Sequence, residues 1–250
     1  KDLIKFAEIQ VGGSYREYQL NSHGRIYTDK DGPILYNEYG VYTQLTRKFI
    51  DDRLKFTGSM RYDKAQNFDG NVSPRVSLVY SGGESRRHNF RASFQTGFRN
   101  PSTQDQYIGF NVGSAILLGS APDNLTRYSE VLPVSTNIDY VKPEKVKAFE
   151  LGYRSFISGF SVDVNGYYNI YNDFIGNLNV VAPLYGTTQD APSGTPSATD
   201  PGFQSVHALS TGNFRAFQLY TNTKVEIESL GFGLGLSRKV YRDFEVGVNY

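Results

Sequence analysis

The sequence predicts an all-β protein, and within that class part of a transmembrane antiparallel β-barrel. Three observations predict this fold. Apolar and polar residues alternate over segments of about nine or more residues, the length that a tilted strand needs to cross a bilayer. Charged residues collect on one of the two faces that this alternation defines. The connections between segments are alternately short and long, as expected when one end of a barrel carries turns and the other carries loops.

The composition excludes several classes of protein. The 250-residue chain has no cysteine and no tryptophan, but it has 19 tyrosines and 17 phenylalanines. The lack of cysteine excludes disulfide scaffolds, cysteine-ligated zinc sites and thiol catalysis. Because 26 Lys and Arg residues nearly balance 25 Asp and Glu residues, there is no basic excess typical of nucleic-acid binding, and we expect no nucleic-acid partner. No apolar run reaches the roughly eighteen residues of a membrane-spanning helix.

The alternation predicts nine strands, since successive side chains of a strand point to opposite sides. In the fifth segment the apolar face holds Phe90, Phe94 and Phe98, while the opposite face begins and ends with arginine. Named by the first and last residue of their apolar faces, the segments are Ala7–Tyr15, Tyr39–Phe49, Leu54–Tyr62, Val76–Tyr80, Phe90–Phe98, Phe149–Tyr153, Phe160–Ile170, Phe217–Leu236 and Phe244–Tyr250. The parity of the apolar face reverses near Glu228 and Ser229, which predicts a β-bulge there.

The links between these segments predict which end of the barrel faces outward. Short links fall at Ile50–Asp52, Gly82–Arg87, Ser158–Gly159 and Lys239–Asp243, and the intervening links at 21–37, 67–72, 101–143 and 173–213. We therefore expect periplasmic turns at one end and long extracellular loops near 21–37, 101–143 and 173–213. Aromatic residues such as Tyr15 and Tyr62 would form an interfacial girdle at the long-loop end. A soluble β-sandwich, whose half-buried strands also alternate, stays open at this point.

Four segments carry further strand signatures. Residues 91–102 include Gly-Phe-Arg-Asn-Pro at the end of a strand, and residues 54–63 end in Arg-Tyr-Asp. Residues 141–154 contain the pattern Pro-Glu-x-x-x-x-x-Glu-x-Gly, and residues 165–175 form a Tyr-rich partner strand. In type and order, these segments resemble the barrel strands of TonB-dependent outer-membrane receptors.

The resemblance implies a barrel of roughly 22 strands with an N-terminal plug domain. Residues 1–250 would supply about nine of the strands. Alternation continues to Tyr250 and no plug or TonB box is recognisable, so we expect the chain to be a fragment without the plug and the closing strands.

The same resemblance implies a function. Such receptors lie in the outer membrane of gram-negative bacteria and take up a scarce nutrient, for example a siderophore–iron complex, a vitamin, an oligosaccharide or a peptide, with energy from TonB. The expected partners are outer-membrane lipid, the TonB complex through the plug, the small nutrient ligand and, as a further candidate, a surface lipoprotein. A passive pore or surface-binding barrel without TonB coupling is the alternative.

No catalytic or metal site is predicted. His23, His88 and His207 lie far apart in the sequence and no nucleophile–base pair is recognisable, so we expect neither enzymatic activity nor a cofactor. The alternate glycines from Gly231 to Gly235 should leave room for a plug or a close neighbour.

Ligand contacts are predicted from position alone, because lumen-facing residues near the long loops, and the loops themselves, meet a ligand first. The candidates are Arg99, Asn100, Gln104, Gln106 and Tyr107 after the fifth strand, Asp123, Asn124, Arg127 and Tyr128 farther along that loop, and Tyr167, Tyr171 and Asn172 on the Tyr-rich strand. For Arg99, and for Glu150, a salt bridge in the lumen or a plug contact is the alternative to ligand contact.

Overall fold

The computed structural model describes residues 7–121, 124, 139–183, 212, 214–241 and 244–250. In chain order the elements are β1 (Glu8–Leu20), β2 (Ile34–Phe49), β3 (Leu54–Ala65), β4 (Asn71–Gly82), β5 (His88–Arg99), α1 (Thr103–Tyr107), β6 (Gly109–Asn111), β7 (Ile116–Leu118), β8 (Glu144–Ile157), β9 (Phe160–Asn172), β10 (Ile175–Pro183), β11 (Phe214–Asn222), β12 (Ile227–Tyr241) and β13 (Phe244–Asn249). Within the described ranges, no helix has the length and apolar character needed to cross a membrane.

Nine strands form one sheet in the order β1-β2-β3-β4-β5-β8-β9-β12-β13. Every neighbouring pair in this sheet is antiparallel, which confirms the predicted fold class. Long strands such as the 16 residues of β2 exceed the nine to eleven or so needed to cross a bilayer at a tilt. We call this nine-stranded sheet the wall.

The wall has one polar and one apolar face. Directly paired residues of an antiparallel ladder lie on the same face, so the register sorts the side chains into rows. One row is Ser93, Glu150, Tyr167 and Gly231, and the next is Phe94, Phe149, Tyr168 and Leu230. Leu230 and Phe232 on the apolar face are 81% and 68% exposed. A soluble sandwich buries such a face against a second sheet, whereas a barrel exposes it to lipid.

Tight turns join the strands at one end of the wall. The turn between β8 and β9 consists of Ser158 and Gly159, both with positive φ, as in two-residue hairpins whose twist matches that of the strands. At the other end the connections cover 21–33, 66–70, 100–143 and 173–226. The link over 66–70 is a short turn, so the predicted alternation of short and long links fails there.

A second, four-stranded sheet of order β10-β11-β7-β6 lies within the two longest loops. The predicted loop over 173–213 therefore contains a strand, β10. The predicted eighth wall segment, Phe217–Leu236, is wrong for Phe217 and Leu219, which belong to β11 of the second sheet. Phe217 and Leu219 pack with Ile116 and Leu118 in a buried cluster, and β7 pairs with β11 in parallel. This cluster joins the loop after β5 to the loop after β9.

The predicted bulge at Glu228 and Ser229 is also wrong. The β9–β12 ladder runs without interruption from the pair Ile227–Tyr171 to the pair Arg238–Phe160. The apolar parity reverses because the predicted single segment is two strands, β11 and β12, which lie in different sheets. The register irregularity in β12 lies instead between Lys239 and Tyr241, opposite β13.

The ladder between β4 and β5 stops short of the long-loop end. β4 pairs with β3 as far as Asn71, but it pairs with β5 only as far as Arg75, opposite Gln95. The preceding residue, Pro74, has no N–H to donate to a ladder. Residues 96–99 of β5 therefore pair with β8 alone, and the wall has a break beside them.

Glycines on the polar face make room for side chains that lie along the wall. A Cβ on Gly231 would lie 2.5 Å from Cζ of Tyr167, and a Cβ on Gly12 would overlap the ring of Tyr42. The space predicted for a plug or a close neighbour at Gly231 is thus occupied by a tyrosine of the adjacent strand.

Candidate functional site

A groove of about 720 Å³ lies on the polar face where β1, β2, β3 and β5 reach the long-loop end. Four cationic and two acidic side chains line it, and tyrosines and the start of the loop after β5 complete it. We call it the rim groove, and its main lining residues are Arg16, Arg61, Lys64, Arg99, Glu38, Asp63, Ser14, Tyr18, Tyr36 and Asn100.

Glu38 is the central acceptor of the rim groove. Its Oε2 accepts a hydrogen bond from the Tyr18 hydroxyl at 3.2 Å, and its Oε1 accepts one from Nδ2 of Asn100 at 3.0 Å. The Tyr18 ring stacks on Tyr36 with the centroids 4.5 Å apart. Arg16 lies opposite Glu38 in the β1–β2 ladder, but it forms no ion pair with any residue of the described ranges. Arg16 therefore presents an exposed charge, without an ion pair in the described part of the chain, beside two stacked rings.

Arg61, in contrast, is neutralised within its own strand. Its Nε donates to Oδ2 of Asp63 at 2.7 Å and its Nη2 to Oδ1 at 2.5 Å, and Nη2 also lies 3.3 Å from Oγ of Ser14. A Cβ on Gly40 would lie 2.7 Å from Nη2, so glycine is required for this side-chain pair to lie flat on the wall. Such a bidentate pair holds the guanidinium in one orientation.

Arg99 is also held by a carboxylate. Its Nε donates to Oε2 of Glu144 at 2.6 Å, and Oε1 of Glu144 accepts from the backbone N–H of Ile175 at 2.7 Å. Glu144 thus links the end of β5 and the start of β8 to the start of β10. Glu150 lies 3.4 Å from Arg91, so the salt-bridge alternative describes both Arg99 and Glu150.

The loop after β5 is fastened to the wall by a buried polar cluster. Ser102 and Asp105 form a reciprocal capping box at the start of α1. The next residue, Gln106, is buried, and its Oε1 accepts from Nδ2 of Asn67 at 2.8 Å and from the Tyr140 hydroxyl at 2.9 Å. Burial raises the pKa of Tyr140, which keeps this hydroxyl a donor.

The other predicted residues of this loop have internal partners. Nε2 of Gln104 donates to the Tyr220 hydroxyl at 3.0 Å, and the Tyr107 hydroxyl accepts from Asn67. Asn124 is 0% exposed, and its Nδ2 lies within hydrogen-bonding distance of three loop carbonyls. The predicted residues Asp123, Arg127 and Tyr128 lie outside the described residues.

The predicted residues on β9 do not line the rim groove. Tyr167 and Tyr171 lie on the polar face, paired with β8 and β12. Asn172 has the parity of the apolar face, and its Nδ2 donates to Glu226 at 2.8 Å. The structure therefore brings Arg99 and Asn100 together in one groove and places the β9 residues elsewhere.

The family model described as "TonB dependent receptor-like, beta-barrel" matches residues 5–249. The chain belongs to this family. Members of the TonB-dependent receptor family are transporters and receptors of the gram-negative outer membrane. In a barrel of this kind the polar face of the wall lines the lumen and the apolar face contacts lipid, so the rim groove opens to the lumen.

Named relatives of this TonB-dependent receptor chain are distant. It is 29% identical over 171 residues to the vitamin B12 transporter BtuB of Vibrio vulnificus (strain CMCP6), a match over 67% of this chain and 22% of that protein. The siderophore receptor PirA from Pseudomonas aeruginosa has a TM-score of 0.62 at 16% identity, over 96% of this chain and 38% of that one. A mutant of the ferric enterobactin receptor PfeA from Pseudomonas aeruginosa has a TM-score of 0.63 at 13% identity, over 98% of this chain and 33% of that one. These two structures show a shared fold, and the chain spans well under half the length of each relative.

Sequence reasoning missed eight of the ten main residues of the rim groove: Ser14, Arg16, Tyr18, Tyr36, Glu38, Arg61, Asp63 and Lys64. Tyr36 falls in the predicted loop over 21–37, and Glu38 lies just ahead of the predicted start of the second strand. Gly40 lies on the polar face, and counting back from it in steps of two reaches Glu38 and Tyr36. Extending the strand in this way would have placed both residues on the lumen face. Arg16 and Arg61 were predicted on the polar face of their strands. The neighbouring sequence does not show, however, which of the two arginines forms an ion pair.

The rim groove is suited to binding, through charge and stacking. No group of three or more His, Cys, Asp or Glu side chains placed to hold a metal ion occurs among the described residues. Guanidinium groups recognise carboxylates, phosphates and other planar anions, and tyrosine rings offer a rigid flat surface. The groove therefore matches a ligand with negative charge and a flat or apolar portion.

Proposed function

We propose that this chain is part of the barrel of an outer-membrane receptor that takes up a scarce small nutrient with energy from TonB. Membership of the family supports a receptor or transporter. Because the chain spans only part of its relatives, the ligand, the plug and the TonB contact all belong to the proposal. Outer-membrane lipid around the wall, and a surface lipoprotein over the loops, are the other proposed partners.

The charge of the rim groove is the observation that supports an anionic ligand. Four cationic residues and two acidic ones line the groove, but Arg61 is paired with Asp63 and Arg99 with Glu144, and Lys64 donates to the Phe68 carbonyl. Arg16 is exposed without an ion pair among the described residues, at the end of the barrel that a ligand from outside reaches first. Of the four nutrient classes, an anionic siderophore–iron complex fits this surface best. The siderophore receptors among the related structures are consistent with that choice.

Within this proposal the predicted residues have different roles. Arg99 and Asn100 act in the rim groove, while Tyr167 and Tyr171 act deeper in the lumen. Gln104, Gln106, Tyr107 and Asn124 hold the loop. Gln106 and Asn124 donate to carbonyls within it, Gln104 donates to Tyr220, and Tyr107 accepts from Asn67. Asp123, Arg127 and Tyr128 stay proposed loop contacts, and Asn172 is proposed to position the neighbouring loop through Glu226.

Binding and uptake of radiolabelled ferric siderophores by the full-length receptor test the proposal. Arg16→Gln should raise Kd about three- to tenfold, since one charge-assisted contact is lost. Lys55→Gln is the matched control, because Lys55 is a polar-face cation near the turn end of β3 and should change Kd less than about twofold. Deletion of the TonB box should abolish uptake and leave binding intact.

Two results would contradict this reading. Uptake that continues without the TonB box would identify a passive pore. Equal Kd values for the Arg16 and Lys55 variants would remove the rim groove from the ligand site.

A further inference from the structure

The wall is open between β4 and β5 at the long-loop end. Their ladder ends at the pair Arg75–Gln95. In the same register Ser73 would lie opposite Gly97, but these two residues do not pair, and outside the ladders no backbone group of the described ranges bonds to either of them. Successive residues of a strand direct their N–H and C=O groups to opposite sides, so two of the four residues 96–99 present these groups to the gap.

The rim groove extends into this gap. It is lined by Ser73 on the β4 side and by the consecutive residues Thr96 to Arg99 on the β5 side. On an intact strand only alternate side chains face the lumen. Thr96 and Phe98 share the parity of Phe94, so they belong to the outward side of β5. Because residues of both sides line the groove here, it follows the edge of the strand into the wall.

The outward side of the gap is apolar where it borders β4. Val72 is exposed beside the gap, and it shares a row with Tyr62 and Val41, which are also exposed. In a barrel of this family such a row contacts lipid. The gap therefore has a polar, charged mouth toward the lumen and an apolar mouth toward the outer part of the bilayer. We call this gap, between residues 71–74 and 96–99, the wall port.

Two polar atoms beside the wall port have no hydrogen-bond partner. Oγ1 of Thr96 and Oδ1 of Asn100 are buried, and neither has a partner among the residues that the structure describes. Nδ2 of Asn100 donates to Glu38 of β2, which draws the chain after β5 across the lumen side. Buried polar atoms without partners are costly. An occupant with both a donor and an acceptor would remove this cost once the end of β5, which no ladder ties to β4, shifts to present the two atoms.

We propose that the wall port holds the amide-linked alkyl chain of the rim-groove ligand, so that the nutrient is an N-acylated, anionic iron chelate. The anionic head lies near Arg16, the amide lies between Ser73 and Gly97, and the alkyl chain passes out to lipid beside Val72. An amide fits because its N–H and C=O pair with the free backbone groups of a strand edge as a strand residue does. Arg16 is three strands away from β4, about 15 Å at the ordinary strand spacing, so the head has to span that distance. The inference rests on the proposed function, whose siderophore class it narrows.

Closing the wall port tests this inference, and it is practicable because the 250 residues contain no cysteine. Ser73→Cys/Gly97→Cys places a disulfide across the gap, in the full-length receptor with any cysteine outside this chain replaced by serine. A Cβ at position 97 would lie 3.3 Å from Cγ1 of Val146, a contact that a small movement of the valine relieves. Ser77→Cys/Ser93→Cys is the matched control, because these two residues are paired in the intact part of the same ladder.

Binding is measured in lipid nanodiscs with radiolabelled ferric citrate-dihydroxamates that carry a dodecanoyl amide, an acetyl amide or a dodecanoyl ester, and counts from empty nanodiscs are subtracted. The dodecanoyl amide should bind the unsubstituted receptor about tenfold or more tightly than the acetyl amide, and about threefold or more tightly than the ester, which has no N–H to donate. Oxidation of the port variant should weaken the dodecanoyl amide about tenfold and leave the acetyl amide within about twofold, and reduction should restore binding. The control variant should bind equally in both states.

A phospholipid with a maleimide on its headgroup reports on the wall port without any nutrient. Gly97→Cys should react with this lipid in nanodiscs, because the gap brings position 97 within reach of the outer leaflet. Ser93→Cys, on the lumen side of the intact ladder, should react only with a water-soluble maleimide. If the disulfide does not form in the port variant, Ser73→Trp, which fills the gap from the β4 side, should weaken the dodecanoyl amide in the same way.

The outcomes separate the port from the nutrient. Absence of lipid-maleimide reaction at position 97 would overturn the port. Equal Kd values for the dodecanoyl and acetyl amides, or dodecanoyl binding that survives closure, would overturn the inference and leave the proposed function intact, and equal Kd values for amide and ester would refute the amide contact. Reaction at position 97 without binding of any of the chelates would refute the siderophore class, and with it the assignment of the alkyl chain.

Discussion

Glu144 connects the wall to the sheet in the loops, and its substitution gives a quantitative test of that connection. Glu144→Ala removes the acceptor for both Arg99 and the Ile175 N–H. Glu144→Gln removes the charge but keeps an amide oxygen that the Ile175 N–H can reach. The two variants therefore separate the ion pair from the backbone hydrogen bond.

The expected magnitudes follow from burial. The Arg99 side chain is 58% exposed, so solvent screens the ion pair and its loss costs only about 0.5 kcal/mol. Ile175 is buried, and leaving its N–H without an acceptor costs roughly 1–2 kcal/mol. The alanine variant should thus destabilise the start of β10 by about 2 kcal/mol, close to a thirtyfold increase in local opening, and the glutamine variant should increase opening about twofold.

Hydrogen–deuterium exchange of the full-length receptor, followed by mass spectrometry of peptides over 173–178, measures this opening. Glu150→Ala is the control, because it also removes a carboxylate from a lumen salt bridge but has no contact with β10. Equal exchange in the alanine and glutamine variants would refute the reasoning, since the cost would then lie in the charge. Faster exchange in the Glu150 variant would show a general loosening of the wall.

Three further outcomes are expected. Burial alone would raise the pKa of Asp29, but hydrogen bonds from Ser22 and a nearby backbone amide outweigh it and hold the pKa below the ordinary 3.8. The loop stability that Asp29 contributes is therefore present above about pH 4 and lost as the pH falls through its folded value, which exchange over 22–29 should detect. Asn124→Ala removes the Nδ2 donor shared by three loop carbonyls, and limited proteolysis of the loop should become about tenfold or more faster. Gly231→Ala should destabilise the barrel by about 1–3 kcal/mol through overlap with Tyr167, and Tyr167→Ala in that background should restore part of the loss in thermal melts.

The wall was predictable because its signal is local. Each strand meets lipid on one side and a polar lumen on the other, so residues two apart repeat the same environment, as Phe90, Phe94 and Phe98 do. Arg99 and Asn100 were predicted at the long-loop end by the same logic, since they follow the alternating face of the fifth strand; their contact with a ligand stays a prediction.

The loop sheet was not predictable in the same way. β6 and β7 have three residues each, too few to establish a period of two. The partner of Ile116 is Phe217, about a hundred positions later, and nothing near either residue identifies the other. The rim groove depends on similarly distant pairs, such as Asn100 with Glu38, which the alternation cannot specify.

The apolar residues of the wall and of the loops face different solvents, and this difference explains where the chain builds a core. On the wall, Leu230 gains nothing by leaving lipid for a protein interior, so the apolar face stays exposed. The loops extend into water, and there Leu118 and Phe217 must be buried against each other for the chain to hold a shape. Glu144 accepts hydrogen bonds both from the Ile175 N–H at the start of β10 and from Arg99 of the rim groove. The buried core of the loop sheet therefore helps to fix the position of Arg99. Two structures thus stabilise the groove: the hydrogen-bonded strands of the wall and the buried apolar cluster of the loop sheet.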